Sequence, residues 1–472
     1  MYVEQIFTNC LAEMAYYIES NGEAVIIDPL RETTPYLEMA EKRGAKIKYV
    51  FLTHFHADFV SGHVDLANKA GATIVFGPNA KTEFDFHSGV DGEEFKIGNI
   101  TLKLLHTPGH TMESSSYLLI DENGNTPYIF TGDALFIGDV GRPDLAVKSN
   151  VTQDDLAGHL FDSLRNKIMP LPNDTIVYPA HGAGSACGKN MSSETFDTLG
   201  NQKETNYALR ADMTKEEFIK EVTTGLVAPP QYFPKNVGMN KGVNKSYDEI
   251  ITDSNKALSV EEFKTIKNNE NVKVLDVRFE LDFVKEHIKG SWFFGLDGTF
   301  ASWIGTLIED LNTPILLIAP EGRTEEAITR LSRVGYDNVK GYLNGGIEAW
   351  KKTGEPVDSI TSISPEEFSK GLSDNSINLL DVRKNSEYFS ERVDYSKSTN
   401  SCLDRLNTEY SSLDKNKKYH VHCLGGYRSV IAISMLRSKG YYNLVNVEGG
   451  FEAIKENKNI HTTAYVCPTT ML

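Results

Sequence analysis

A chain of 472 residues is longer than one domain and fits three. Hydrophobic residues at 40% and charged residues at 24% give each domain enough apolar material for a core. The net charge of −17 argues against a nucleic-acid backbone or an anionic membrane surface as partner, and its plain reading is solubility.

The start, Met1-Tyr2-Val3-Glu4-Gln5-Ile6, shows no basic flank and no long apolar run, so no signal peptide is expected. No stretch reaches the roughly 18 apolar residues of a spanning helix. Cys10, Cys187, Cys402, Cys423 and Cys467 are scattered, which fits free thiols in a reducing cytoplasm.

Residues 1–28 predict a hairpin, with strands Met14–Ile18 and Ala24–Ile27 around the turn Asn21-Gly22, closed by Asp28-Pro29. A helix over Thr34–Arg43 ends at Gly44, and the apolar run Tyr49–Leu52 follows as a strand. A helix over 64–70, a strand Thr73–Phe76 and strands near 100–105 and 115–120 continue the pattern. Interleaved strands and helices predict a layered α/β domain whose ligands collect at loops after strands.

Four such loops carry metal-ligand side chains. After Tyr49–Leu52 comes Thr53-His54-Phe55-His56-Ala57-Asp58-Phe59. After Leu102–Leu105 comes Thr107-Pro108-Gly109-His110; after Tyr128–Phe130 comes Thr131-Gly132-Asp133; after Thr175–Tyr178 comes Pro179-Ala180-His181-Gly182. One histidine after a strand is ordinary. Four β-runs each ending in an imidazole or carboxylate point to a divalent zinc or iron site.

The set His54, His56, Asp58, His110, Asp133 and His181 resembles the metallo-β-lactamase fold, a four-layer αββα sandwich with a metal site at one edge. The resemblance covers roughly residues 1–250. Within that superfamily, Thr107–Thr111, Thr131–Phe136 and Gly141-Arg142-Pro143-Asp144 are similar to the persulfide dioxygenases. Hydrolases such as glyoxalase II read His-x-His-x-Asp-His, whereas this chain has Phe59 at the last position. A phenylalanine cannot coordinate, so one metal is favoured over two. The resemblance implies one Fe(II) held by His54, His110 and Asp133, with positions open for O₂ and a substrate sulfur. His56, Asp58 and His181 would then orient ligands or substrate, or hold a second metal despite Phe59.

Cys187 lies six residues beyond His181 in a glycine-rich stretch. It reads either as a contact for substrate sulfur, with Lys189 favouring its thiolate, or as a small buried cysteine. Arg142 reads either as an anchor for the carboxylate of a thiol persulfide or as a structural partner of Asp144. Glu216–Val222 predicts a helix. Pro229–Asn236 predicts an extended, stiff segment, since proline disfavours helix there. The first domain is placed at 1–250.

The second half repeats itself. Val274-Leu275-Asp276-Val277-Arg278 returns as Leu379-Leu380-Asp381-Val382-Arg383, and Gly345–Ala349 returns as Gly449–Ala453, each about a hundred residues on. This predicts two α/β domains, 251–357 and 358–472, with parallel sheets. After the strand Tyr419–His422 comes Cys423-Leu424-Gly425-Gly426-Tyr427-Arg428-Ser429, which opens the helix Val430–Leu436. Loop N–H groups and a helix N-terminus would stabilise a thiolate at Cys423. The loop resembles a rhodanese active site, in which the cysteine carries a persulfide. Arg428 matches its arginine and would favour an anionic acceptor such as sulfite. The first copy reads Ala319-Pro320-Glu321-Gly322-Arg323-Thr324 without cysteine and is similar to an inactive rhodanese, a spacer or docking piece. Cys402 and Cys467 read as incidental.

The whole chain thus resembles the persulfide dioxygenase–rhodanese fusions of sulfide detoxification: oxidation of a low-molecular-weight thiol persulfide to sulfite, with sulfane sulfur passing through Cys423 to or from thiosulfate. A homo-oligomer is compatible with that resemblance. The rival readings are a glyoxalase II-like dinuclear zinc thioester hydrolase joined to a sulfurtransferase, and a sulfur-carrier scaffold without catalysis.

Overall fold

A computed structural model describes residues 1–147, 150–269 and 271–467. It divides into two compact units, one of Met1–Ile250 with Ser332–Gly335, the other of Ile251–Leu331 and Tyr336 onward. No helix among the described residues is long and apolar enough to cross a membrane.

The first unit carries two six-stranded sheets among its described residues. One runs in the order β1 (Tyr2–Thr8), β2 (Glu13–Ser20), β3 (Glu23–Ile27), β4 (Lys46–Phe51), β5 (Thr73–Phe76), β6 (His87–Ser88). The other holds β7 (Glu94–Ile97), β8 (Ile100–His106), β9 (Ser115–Ile120), β10 (Tyr128–Gly132), β11 (Ile176–Pro179) and β12 (Asp197–Thr198), with β12 and β7 at its edges. The hairpin read from Asn21-Gly22 is β2–β3, antiparallel, with Tyr17 opposite Ile26. Strand β1, added to its outer side, and the short β6 and β7 have no strong apolar pattern and escape the sequence reading.

Each sheet is covered on both faces. From β2, Met14, Tyr16 and Ile18 enter a core with Phe95, Leu102, Tyr117 and Phe130 of the opposite sheet. Ala15 and Tyr17 point the other way, against Tyr36, Ala40 and Leu66 of the helices Thr34–Arg43 and His63–Ala70. That is why β2 is apolar along its length rather than alternating. On the far side, Ile129 and Val177 pack under the helices Gln153–Ser163 and Lys215–Thr223 through Leu160 and Phe218. The layers are helix, sheet, sheet, helix.

One expectation fails. The segment read as extended over 229–236 turns into the helix Phe233–Lys241. Pro234 sits in its first turn, where the missing N–H has no intrahelical acceptor to lose and the fixed φ suits the helix.

In the second unit, β13 (Ala257–Leu258), β14 (Lys273–Asp276), β16 (Trp292–Phe293), β17 (Ile315–Ile318) and β18 (Val339–Leu343) form one parallel sheet. Its order is β13-β18-β17-β14-β16, and β15 (His287–Ile288) pairs apart with β19 (Val357–Asp358). The second copy repeats this as β20 (Thr361–Ile363), β24 (Leu444–Val447), β23 (Tyr419–His422), β21 (Leu379–Asp381) and β22 (Ser398–Asn400). The repeated Leu-Asp-Val-Arg proves structural in both copies. Arg278 grips Asp276 at 2.7 Å and donates to Glu286 O at 2.8 Å; Arg383 grips Asp381 at 2.6 Å and donates to Glu391 O at 2.9 Å. Both copies also start a helix with a capping box, at Ser259–Glu262 and Ser364–Glu367.

Strand β10 ends at Gly132 with φ 56°, where a Cβ would stand 2.6 Å from Thr53 Cβ. Gly132→Ala therefore combines left-handed strain with a clash beside Asp133, costing about 1–3 kcal/mol. A lower thermal unfolding midpoint than wild type is expected, read by circular dichroism.

Candidate metal centre and reactive cysteine

The four loops converge. Donor atoms of His54, His110 and Asp133 lie within 4.8 Å of one another, as do those of His56, Asp58 and His181, and those of Asp133, His181 and Cys187; all are buried. His54 Nε2 is 3.7 Å and His110 Nε2 3.4 Å from Asp133 Oδ2.

Hydrogen bonds on the far side of each ligand set its free atom. Asp28 accepts from Thr53 N–H at 2.8 Å and from Thr53 Oγ1 at 2.7 Å. Having given its proton to Asp28, Thr53 Oγ1 accepts from His54 Nδ1 at 2.9 Å. His110 Nδ1 donates to Arg142 O at 2.8 Å. Both rings are thereby fixed with Nε2 unprotonated toward the centre, as a metal ligand requires. His181 Nδ1 donates to Asp133 Oδ1 at 2.7 Å, leaving Oδ2 inward.

The inward atoms have no partners. His54 Nε2, Asp133 Oδ2, Asp58 Oδ1, His181 Nε2 and both nitrogens of His56 are buried without a hydrogen bond. His181 Nε2 comes within 2.9 Å of Asp58 Oδ2, and His56 Nε2 within 3.0 Å of Asp28 Oδ1, both misaligned for hydrogen bonding. Buried orphan lone pairs on imidazole nitrogens and carboxylate oxygens are what a cation satisfies. Burial, with His56 adding, holds His54 well below the ordinary histidine value, so it stays neutral. Burial opposes ionisation of Asp133, but the charge and hydrogen bond of His181, itself held against burial well above the ordinary histidine value by Asp133 and Asp58, outweigh it and keep the carboxyl well below the usual range.

Phe59 is fully buried and its ring lies 4.4 Å from that of His56, tilted by 33°. Asn240, on the helix Phe233–Lys241, staples this loop: its side chain donates to His56 O and Phe59 O, each at 2.8 Å, and accepts from Ser61 N–H.

Two sequence expectations are corrected. Lys189 does not favour a Cys187 thiolate, because its Nζ donates to the carbonyls of Glu221 and Thr224. Burial, with Asp58 and Asp133 adding, pushes the Cys187 thiol well above its ordinary value. Arg142 is the structural arginine of the two readings rather than the carboxylate anchor. It holds Asp144 through two bonds at 2.6 and 2.7 Å and donates to Ala186 O and Val227 O.

Sequence reasoning missed Asp28 and Glu13. Asp28 follows strand β3 just as the ligands follow theirs, so the same rule applied one strand earlier finds it. Glu13 is fully buried at the start of β2, its backbone paired with that of His181 in an antiparallel bridge, and neither of its carboxyl oxygens has a hydrogen-bond partner. Burial holds its carboxyl well above the ordinary range.

In the second unit, Cys423 directly follows β23 and its Sγ accepts from Gly426 N–H at 3.1 Å. The helix it precedes runs over Tyr427–Ser438, longer than expected. Arg428 does not stand free for an anionic acceptor: it pairs with Glu387 through two bonds of 2.7 Å. Cys402 caps the helix Leu403–Glu409, its Sγ 3.1 Å from Arg383 O.

Two expectations follow. His110→Ala or Asp133→Ala should lower bound metal, read by elemental analysis, more than tenfold relative to wild type, since losing even a supporting contact costs about 10–100-fold in affinity. For Glu387, burial opposes ionisation but the Arg428 bonds outweigh it, so the folded value is lowered. Its stabilisation is present above the unfolded value, about 4.3, and is lost as the pH falls below it. The melting difference between wild type and Glu387→Gln should therefore be present at pH 7 and shrink on acidification below about pH 4.3.

Comparison with known proteins agrees with this geometry. The Metallo-beta-lactamase superfamily pattern matches residues 8–181, and the Rhodanese-like domain pattern matches 259–353 and again 364–457. Over 222 residues the chain is 32% identical to the mitochondrial persulfide dioxygenase of Homo sapiens, spanning 46% of this chain and 79% of that one. It is 31% identical over 177 residues to the cytoplasmic hydroxyacylglutathione hydrolase of Arabidopsis thaliana, 36% of this chain and 65% of that one. A crystal structure named as a metallo-beta-lactamase from Staphylococcus aureus matches with TM-score 0.64 and 31% identity, covering 73% of this chain and 98% of that chain. The chain belongs to the metallo-β-lactamase superfamily, with a first domain similar to the persulfide dioxygenases and glyoxalase II followed by two rhodanese-like domains.

Proposed function

We propose that the first domain oxidises a low-molecular-weight thiol persulfide to sulfite, R-S-SH + O₂ + H₂O → R-SH + SO₃²⁻ + 2 H⁺, and that Cys423 carries sulfane sulfur. The observation that supports one metal over two is Phe59. It packs on His56 where the hydrolases carry another histidine, and leaves His54, His110 and Asp133 as a two-histidine, one-carboxylate set. These residues would hold Fe(II), which when bound supplies the redox chemistry with O₂.

The protein's own part is orientation and exclusion of water. Thr53 and the Arg142 carbonyl fix the tautomers of His54 and His110, and His181 holds Asp133. Cys187, uncharged and buried next to Asp133 and His181, offers a soft neutral contact to substrate sulfur rather than a nucleophile. At the second site, Cys423 thiolate takes the outer sulfur of a persulfide and releases R-SH. Sulfite then attacks that sulfur, so that thiosulfate leaves and the thiolate is restored; the reverse sequence consumes thiosulfate. The partners are a thiol persulfide, O₂ and sulfite or thiosulfate, and the reading places the protein in a reducing cytoplasm.

A second reading has its own observation. His56, Asp58 and His181 gather donor atoms within 4.8 Å, which would suit a second ion and a zinc thioester hydrolase.

Anaerobically iron-loaded protein given glutathione persulfide should consume O₂ and form sulfite. Two zinc ions per chain, thioester hydrolysis and no O₂ uptake would replace this reading with the second. Cys423→Ser should abolish thiosulfate formation while sulfite formation persists; loss of both together would refute independent sites.

A further inference from the structure

The helix Tyr427–Ser438 is buried on every face. The eight consecutive residues from Ser429 to Leu436 are all buried. A helix lying on a single sheet buries one stripe and leaves the opposite face to solvent. Its own copy supplies one wall through β23 and β24. The other wall is the cysteine-free copy.

That contact starts at an open edge. Strand β16 is the last strand of its sheet, and an edge strand leaves N–H groups without ladder partners. Phe293 N–H donates to Ser434 Oγ at 3.0 Å. Two turns earlier on the helix, Tyr427 reaches across from the reactive loop. Its ring is 5.4 Å from that of Phe293, and its Oη donates to Gly295 O at 2.8 Å. Gly298 makes room for the ring: a Cβ there would lie 2.3 Å from Tyr427 Cζ.

These glycines are peculiar to the copy without cysteine. Asp276 pairs with Phe293 as Asp381 pairs with Asn400, so Gly295 and Gly298 align with Cys402 and Arg405 of the other copy. A side chain at 298 would collide with the Tyr427 ring, and one at 295 with the Phe293 ring and the Arg278 carbonyl.

Tyr427 directly follows Gly426, whose N–H faces the sulfur of Cys423 at 3.1 Å. That N–H lies one Cα before the peptide unit that joins Gly426 to Tyr427, so a shift of the tyrosine reaches the donor through the Gly426 backbone. We propose that the cysteine-free copy is a clamp on its neighbour's reactive loop: the segment 293–298 fixes Tyr427, which positions the Gly426 N–H against the Cys423 sulfur. Phe293, Gly298 and Tyr427 are positioning residues in this arrangement. It rests on the reading of Cys423 as the sulfur carrier.

The test uses the full chain and two readouts: the pH profile of Cys423 alkylation by iodoacetamide, followed by mass spectrometry, and loading of Cys423 with sulfur from thiosulfate. Tyr427→Ala removes the clamped ring, Gly298→Val displaces it, and Tyr427→Phe keeps the ring without its hydroxyl. In Tyr427→Ala and Gly298→Val, alkylation at pH 7 should slow about tenfold and its profile should move to higher pH, as expected when a thiolate loses a donor. Tyr427→Phe should restore most of the wild-type rate, and first-domain metal content should stay unchanged throughout. A wild-type alkylation profile in folded Tyr427→Ala overturns the clamp, even if Gly298→Val does not fold. Wild-type protein that alkylates at Cys423 yet takes no sulfur from thiosulfate overturns the carrier reading and leaves the clamp standing.

Discussion

The first unit is organised around one constraint, a set of buried imidazole and carboxylate atoms that make no hydrogen bond within the protein. Each unpartnered buried polar atom costs about 1–3 kcal/mol, and His54, His56, Asp58, Asp133 and His181 contribute several at one place. A fold does not hold such a cluster together by its own attraction. Two sheets packed on a shared apolar core bring the strand ends together, and a second ring of bonds fixes the loops. Asp28 holds Thr53, Asn240 holds the loop from His56 to Ser61, and the Arg142 carbonyl holds His110. A bound cation would turn the cluster from a cost into a stabilising contact, and would thereby couple metal binding to stability.

The candidate ligands are legible in the sequence because each follows an apolar strand and belongs to a short motif. The residues that hold them are not, because they are remote. Asn240 meets a loop some 180 residues away, and no local pattern announces it. The proline rule made that worse: applied to Pro234 as a helix breaker it hid the very helix that carries Asn240. Proline in a first turn is a helix starter, and only position separates the two cases. Lys189 shows the converse error. Two residues of separation in a loop do not bring side chains together, and its ammonium turns to carbonyls instead of Cys187.

The duplicated domains separate scaffold from chemistry inside one molecule. The Asp–Arg grip, the capping boxes and the Gly-Gly turns persist in the copy without cysteine, so they serve the sheet and its helices. Leu-Asp-Val-Arg therefore identifies the fold and says nothing about sulfur chemistry. What the proposed chemistry draws on is the loop from Cys423 to Arg428, present once.

Within that loop the charge balance changes what an anion would meet. Arg428 is matched by Glu387, and the fully buried Arg383 by Asp381, so neither presents net positive charge. Recognition of an anionic acceptor then falls to backbone donors: the loop N–H groups, of which Gly426 already faces the sulfur, and the N-terminus of a twelve-residue helix. Backbone donors keep their charge at any pH and act where the chain places them. The same N–H groups that stabilise a thiolate would stabilise a persulfide anion on Cys423, and their value depends on placement to within a few tenths of an ångström. A neighbour that holds the loop still is therefore part of how this cysteine can work.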